Sequence, residues 1–467
     1  GEIKGTFGFK TNNVKSDTSY TFYVELCNDN NYCSKSSKKT VKFLKQGSID
    51  SGSGDSGSGD SASGKKDDTK SSKKKIVFKS KHFAVAYLPS WKTTWFSKNS
   101  YKNSQIVNID PLYTHLVISF AKPNLTFSKD SFTNTGIQFS PEFQVVKLAI
   151  KEVKKKGVKV LLAVGGQSYK SWSAIADEHG KEMSSTTHKK ALFDLVKALD
   201  IDGIDVDYEI DGVDEENIKK YYKSVISLYE VTREANIMLS IAGWSTGADC
   251  TKETKSDKYC SGKLSFWGGN AGRERQLFNM LNKNGFNTNE LFDYVSVMSY
   301  DGGFKRFDPI NLYESYKSIY TGKLALGLEL AAEGFGGAEL VSSNTEAKQC
   351  QSSDKSSMLA GNSYEIYGTK KPYSVQRFVD FIKTQDTNGG IMLWSMFKDA
   401  GSGAKCSNAL KYDTFNISAR KYLGGKTLSY EENLLEDIKI TYNNIVTFKD
   451  SNDFKNTEKN FDNFDLT

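Results

Sequence analysis

Eight short apolar runs alternate with amphipathic stretches between residues 83 and 395, and no other feature of the chain narrows the fold as far. The runs cover residues 83–88, 113–120, 158–164, 203–209, 237–242, 294–300, 323–330 and 391–395. Helix-period stretches lie between them at 141–156, 186–199, 215–235, 272–284 and 374–385. Strand–helix alternation makes consecutive strands parallel, and near-continuous apolar runs suit strands covered on both faces. Eight units in about 330 residues predict an α/β fold closed as a (β/α)8 TIM barrel. An open doubly wound sheet carries a Gly-rich phosphate turn after its first strand, and Ala86-Tyr-Leu-Pro-Ser90 is not one.

The barrel is expected over residues 81–420. Residues 48–64 read SIDSGSGDSGSGDSASG, which offers nothing to bury. With the lysines that follow, this sets a flexible linker at 47–80. Residues 1–46 contain the alternating stretch Ser19-Tyr-Thr-Phe-Tyr-Val-Glu-Leu-Cys27 and then Lys38-Lys-Thr-Val-Lys-Phe43, two strands about a polar turn. They resemble the closing strands of a fibronectin type III-like sandwich, with Tyr20 near the tyrosine-corner position. The piece is too short for a whole sandwich. Residues 421–467 read as a tail or the start of a truncated domain, and the chain as part of a longer multidomain protein.

The chemistry concentrates in Asp202-Gly-Ile-Asp205-Val-Asp207-Tyr-Glu209. Alternate residues of a strand share a face, so Asp205, Asp207 and Glu209 form a ladder, successive carboxylates about 7 Å apart. Such a ladder repels itself unless it shares protons, binds a cation or does chemistry. Asp207-x-Glu209-x-Asp211-Gly212 partly mimics a calcium loop, but Ile218 stands where the loop needs Glu, and the start lies in a predicted strand. No metal and no cofactor are expected.

In a barrel of this kind, reactive groups gather at the carboxyl ends of the strands. Tyr87 ends the first predicted strand, Gly165-Gly166 the third, Glu209 the fourth, Met298-Ser-Tyr300-Asp301 the sixth and Trp394 the eighth. The two glycines are read as leaving room for a ligand. The six tryptophans, 91, 95, 172, 244, 267 and 394, all fall at or shortly after strand ends. Flat rings beside an acid ladder suit stacking on pyranose faces, so Trp91, Trp172, Trp244 and Trp394 are taken as walls of a glycan cleft.

Together the acid motif, the Met298-Ser-Tyr300-Asp301 stretch and Trp394 resemble glycoside hydrolase family 18, the chitinases and their relatives, over roughly residues 80–415. One departure is Ala163-Val-Gly165-Gly166, where the family usually has Ser-x-Gly-Gly, so one supporting hydroxyl is lost. The short span between strands seven and eight leaves little space for the α+β insertion of one family branch and implies a shallower cleft. The resemblance implies substrate-assisted hydrolysis, in which the sugar's own 2-acetamido oxygen attacks the anomeric carbon. Glu209 would be the general acid and base, Asp207 would bond the acetamido N–H, Asp205 would share a proton with Asp207, and Tyr300 would hold the acetamido oxygen. Trp394 would floor the distorted sugar, and Met298 and Asp301 would line the same pocket. The implied partner is chitin or N-acetylglucosamine oligosaccharide. Endo-β-N-acetylglucosaminidases acting on N-glycans share fold and motif, and chitin-binding lectins occur on the same barrel where the acid is replaced. Glu209 is present.

Six cysteines, at 27, 33, 250, 260, 350 and 406, form no C-x-x-C pair, which argues against zinc. An even count fits three disulfides in an exported protein, with Cys27–Cys33, Cys250–Cys260 and Cys350–Cys406 as one pairing of fifteen. Secretion is the expected localisation, with the export signal already removed. Sequons at Asn124-Leu-Thr126 and Asn416-Ile-Ser418 are compatible with that. Net charge is +7, but the basic cluster around Lys73-Lys74-Lys75 has no aromatic platform or base-reading motif beside it, so nucleic acid is not an expected partner. No apolar run is long enough for a membrane span.

Overall fold

A computed structural model describes residues 76–92, 101–249, 270–300, 308–330, 339–349, 369–398 and 406–429, with short strands besides at 19–42 and 363–366. Eight parallel strands close into a barrel in sequential order: β1 (Phe83–Pro89), β2 (His115–Ala121), β3 (Lys159–Gly165), β4 (Gly203–Asp207), β5 (Met238–Gly243), β6 (Tyr294–Val297), β7 (Leu324–Glu329) and β8 (Gly390–Trp394). Parallel pairing of β8 with β1 completes the ring. The TIM barrel predicted from the alternation is the observed architecture.

Around the barrel run α1 (Phe143–Lys154), α2 (His188–Leu199), α3 (Glu215–Ala235), α4 (Arg273–Lys283), α5 (Pro309–Lys317), α6 (Val375–Gln385) and α7 (Tyr412–Leu423). Two of these, α5 and α7, carry no helix assignment in the sequence reading. Their apolar stripes are narrow and mixed with tyrosines, whose hydroxyls find partners: Tyr313 donates to Asp386 at 2.7 Å, and Tyr316 to the Trp244 carbonyl at 2.7 Å.

Strand alternation sorts the barrel wall into two cores. Ala84, Ala86, Leu162, Val164, Ile204 and Val206 face outward into the layer beneath the helices. Val85, Tyr87, Leu161, Ala163, Ala242, Tyr294, Ala325 and Met392 pack inside the ring. On β4 the odd positions fall inside, so Asp205 and Asp207 point into the barrel while Ile204 and Val206 anchor the strand to the helices. Small residues at Ala163, Ala242 and Ala325 leave interior volume that the carboxylates and rings fill.

The helix after β4 begins at a strong stop. Asp214 caps it by accepting the Asn217 N–H, and Glu215 and Glu216 place negative charge at its N-terminus. A cap there fixes the length of the loop that carries Glu209.

Ile76–Lys79, inside the stretch read as linker, pairs antiparallel with Lys426–Ser429, inside the stretch read as tail. Each of these strands is only four residues long, too short a run to stand out in the sequence. Between β7 and β8 lies an antiparallel hairpin, Ser363–Ile366 with Thr369–Pro372.

Residues 1–71 form a unit of their own. There Ser19–Phe22 pairs with Lys39–Lys42, and Glu25–Cys27 with Cys33–Lys35, both antiparallel. The rest of that segment lies outside the described residues, and the fibronectin-like reading gains no support. No helix among the described residues is long and apolar enough to cross a membrane.

Candidate active site

The ladder acids occupy three different environments. Asp205 is wholly buried. Its Oδ2 accepts from the Tyr87 hydroxyl at 2.7 Å and its Oδ1 from the Ser240 hydroxyl at 2.6 Å. Burial pushes its pKa up to about 6 even though both hydroxyls favour the charged form. Asp207 is 3% exposed, and its Oδ1 is buried with no hydrogen-bond partner among the described residues. Burial first, then the charges of Glu209 and Asp205, hold its pKa well above the usual carboxylate range, against the opposing charges of Arg273 and Lys170. Glu209 stands two residues past the end of β4, half-buried.

A cavity of about 430 Å³ opens over these acids, within the range of small-ligand sites. Asp207 and Glu209 line it, with Met298 and Tyr300 from the end of β6, Trp244 and Ser245 from the end of β5, and Trp394 from β8. Phe120, Trp91, Gln138, Gln167, Ser168 and Tyr169 complete the wall. Three rings stack in sequence along it. Phe120 lies 5.8 Å from Trp394 at 27°, and Trp91 lies 5.9 Å from Phe120 at 28°. Tyr87 meets the Trp394 ring edge-on from below at 5.9 Å.

Chemically the arrangement presents a half-buried carboxyl beside a buried one that favours its protonated form, over an aromatic floor. It can deliver a proton to a ligand oxygen and accept an N–H at Asp207.

Several expected site residues are placed differently. Trp172 is wholly buried, tilted against Tyr208 at 4.9 Å, so it is core and not cleft wall. Its ring packs against Gly165 at the end of β3, which strand-end position alone does not reveal. Gly165 and Gly166 make no room for a ligand. A Cβ on Gly165, at φ +112°, would meet the Asp207 carbonyl at 2.1 Å, and one on Gly166 the Phe120 ring at 2.8 Å. The Gly166 N–H donates to that same Asp207 carbonyl at 2.8 Å, so the pair packs the end of β3 against the acid strand. Tyr87 lies beneath the acids and supports Asp205; it is not among the cavity-lining residues. No hydrogen bond joins Asp205 to Asp207 in this structure; Asp205 instead accepts one from Tyr87 and one from Ser240.

Asp301, Trp95, Trp267, Cys250, Cys260 and Cys350 lie outside the described residues, as do the side chains of Cys27 and Cys33. Cys406 is buried. Ser240, Phe120, Tyr169 and the two glutamines were missed. Phe120 ends a predicted strand and could have been found from that position. The others carry no motif.

A family model, "Glycosyl hydrolases family 18", matches residues 84–399, more than half of the chain. The chain belongs to glycosyl hydrolase family 18. As a family 18 member it is a glycoside hydrolase. No curated protein sequence matches the chain. Solved structures similar to it include a GH18 chitinase from Pseudoalteromonas aurantia, 17% identical over 67% of this chain and 94% of that one, TM-score 0.41. A fungal endo-beta-N-acetylglucosaminidase of family 18 is 13% identical over 72% and 97%, TM-score 0.43. A group IV chitinase of Ostrinia furnacalis is 17% identical over 73% and 99%, TM-score 0.44.

Proposed function

We propose that this family 18 enzyme is a chitinase that hydrolyses β-1,4-linked N-acetylglucosamine polymers with the substrate's acetamido group as nucleophile. The observation that carries the reading is Asp207 Oδ1, a buried acceptor without a partner among the described residues, at the floor of an aromatic cleft next to Glu209. An acetamido N–H is a donor that suits it.

Trp394 underlies the reacting sugar. Tyr300 donates to the acetamido oxygen and turns it toward the anomeric carbon. The acetamido oxygen bonds to the anomeric carbon and closes an oxazolinium ring, while the bond from that carbon to the glycosidic oxygen breaks and Glu209 protonates the departing oxygen. Positive charge then develops on the ring beside Asp207, and that charge draws Asp207 from its protonated form to the carboxylate, so that its proton passes inward. Asp205 takes it, since burial already raises its affinity for a proton. That sharing requires the Asp207 side chain to turn toward Asp205. Glu209, now a carboxylate, draws a proton from water as the water opens the ring. Trp91, 43% exposed beyond Phe120, extends the stacking surface for further sugars.

We also assign the enzyme to the extracellular space, with disulfide bonds that include Cys406, which is buried; no free cysteine stands among the described residues.

Mass-spectrometric product analysis on chitin oligomers and, in parallel, on a high-mannose glycoprotein tests the substrate assignment. Shortened N-acetylglucosamine oligomers with the glycoprotein untouched support it. Release of glycans with the oligomers intact replaces it by an N-glycan endoglycosidase, and binding without cleavage of either by a lectin.

A further inference from the structure

The segment that carries Glu209 from β4 to α3, residues 208–214, has no regular secondary structure, so its backbone groups need partners from elsewhere. Side chains supply them at four consecutive carbonyls. Lys170 Nζ donates to the Glu209 carbonyl, and Arg273 Nη1 to that of Ile210 at 3.1 Å. Asn217 Nδ2 donates to the carbonyls of Gly212 at 2.8 Å, Asp211 at 3.3 Å and Ile210 at 3.4 Å. Carbonyls only accept, so the amide nitrogen of Asn217 must face them. Its Oδ1 is then left for the buried Tyr208 hydroxyl, which donates at 2.6 Å.

Two further contacts close the loop. Asn270 accepts from the Gly212 N–H at 2.7 Å and donates to the Asp211 carboxylate at 2.9 Å. Arg273 is wholly buried and paired with Glu274 through Nε at 3.0 Å and Nη2 at 2.6 Å. Its guanidinium also stacks 5.0 Å from the ring of Trp244, which walls the cavity. Burying a guanidinium is unfavourable unless its geometry is well satisfied. Here the fold does so directly behind the acid loop. Neither Asn217 nor Arg273 lines the cavity.

We propose that Asn217, backed by Arg273, is a positioning residue for the reaction: it fixes the path of residues 209–212 and thereby aims the Glu209 carboxyl into the cleft without touching substrate. The proposal rests on the reading of Glu209 as proton donor.

Asn217→Asp tests it. Aspartate keeps the shape and the acceptor for Tyr208, and sets an oxygen where three carbonyls need a donor. Turnover of a chromogenic N-acetylglucosamine oligomer should fall about tenfold to hundredfold, as for a catalytic group displaced by a fraction of an ångström to an ångström. KM should stay unchanged, since the groups that hold the sugar are untouched. Circular dichroism should show a folded protein at the assay temperature. Wild-type kcat, a loss confined to KM, or a loss that merely follows the folded fraction overturns the proposal. If Asn217→Asp does not fold, Arg273→Lys decides in its place. It keeps a cation beside Glu274, loses the donor to the Ile210 carbonyl, and should lower kcat by a larger factor than it raises KM, which it reaches only through the Trp244 contact. Glu209→Gln separates the two levels. If it keeps full activity, the parent reading fails. If it is inactive while Asn217→Asp, or Arg273→Lys in its stead, keeps wild-type kcat, only the positioning role fails.

Discussion

Ser240 donates its hydroxyl to Asp205 at 2.6 Å from the strand on the far side of Ala163. Register sets both residues level with Asp205, Ser240 on β5 and Ala163 on β3. The hydroxyl that Ala163 lacks is therefore supplied from the opposite neighbour, and the support expected to be weak is intact. Ser240→Ala should leave one buried carboxyl oxygen without a donor and destabilise the fold by about 1–3 kcal/mol. Ala163→Ser added to that variant should restore most of the loss. Urea unfolding of both proteins at pH 7 measures it; no recovery in the double variant would mean that position 163 cannot reach Asp205.

Burial raises the Asp205 pKa to about 6 from an ordinary 3.8. Below pH 4 folded and unfolded chains both hold the proton, and Asp205 is neutral in its effect. Between about 4 and 6 the unfolded chain releases its proton first, so stability falls as pH rises, by about 3 kcal/mol in all. Above 6 the loss is constant. Asp205→Asn removes the titration, so its stability relative to wild type should rise between pH 4 and pH 7 by that same amount, whatever the fixed cost of replacing one acceptor by an amide. Melting curves at the two pH values check this; a difference that does not change between them contradicts the burial argument.

Trp172 and Trp91 look alike in sequence and differ in the structure. Trp172→Ala opens a cavity against Tyr208 and should cost about 3–5 kcal/mol of stability. Trp91→Ala, at an exposed position, should melt as wild type and raise KM for long oligomers more than for a disaccharide substrate. Equal effects on stability from the two changes would overturn the placement of Trp172 in the core.

What the chain spells out locally was legible. All eight barrel strands and the inward set of Asp205 and Asp207 follow from period and spacing, because buried parallel strands leave long apolar runs. The environment of each acid was not legible. Ser240, Asn217, Asn270 and Arg273 act across gaps in sequence that only strand register and loop path bring together. Gly165 and Gly166 were legible as special but not for what: the space beside them is filled by the Asp207 backbone and the Phe120 ring. Trp172 shows the same limit, since a tryptophan after a strand can fold beneath it or face the cleft.

Glu209→Gln keeps the shape of the side chain and removes its proton chemistry. Its turnover of an N-acetylglucosamine oligomer, measured beside the affinity for the same oligomer by calorimetry, bears most directly on Glu209 as the proton donor. Turnover should drop at least about 10²-fold while affinity holds. Retained turnover, or a loss explained by weaker binding alone, would show that the proton comes from elsewhere.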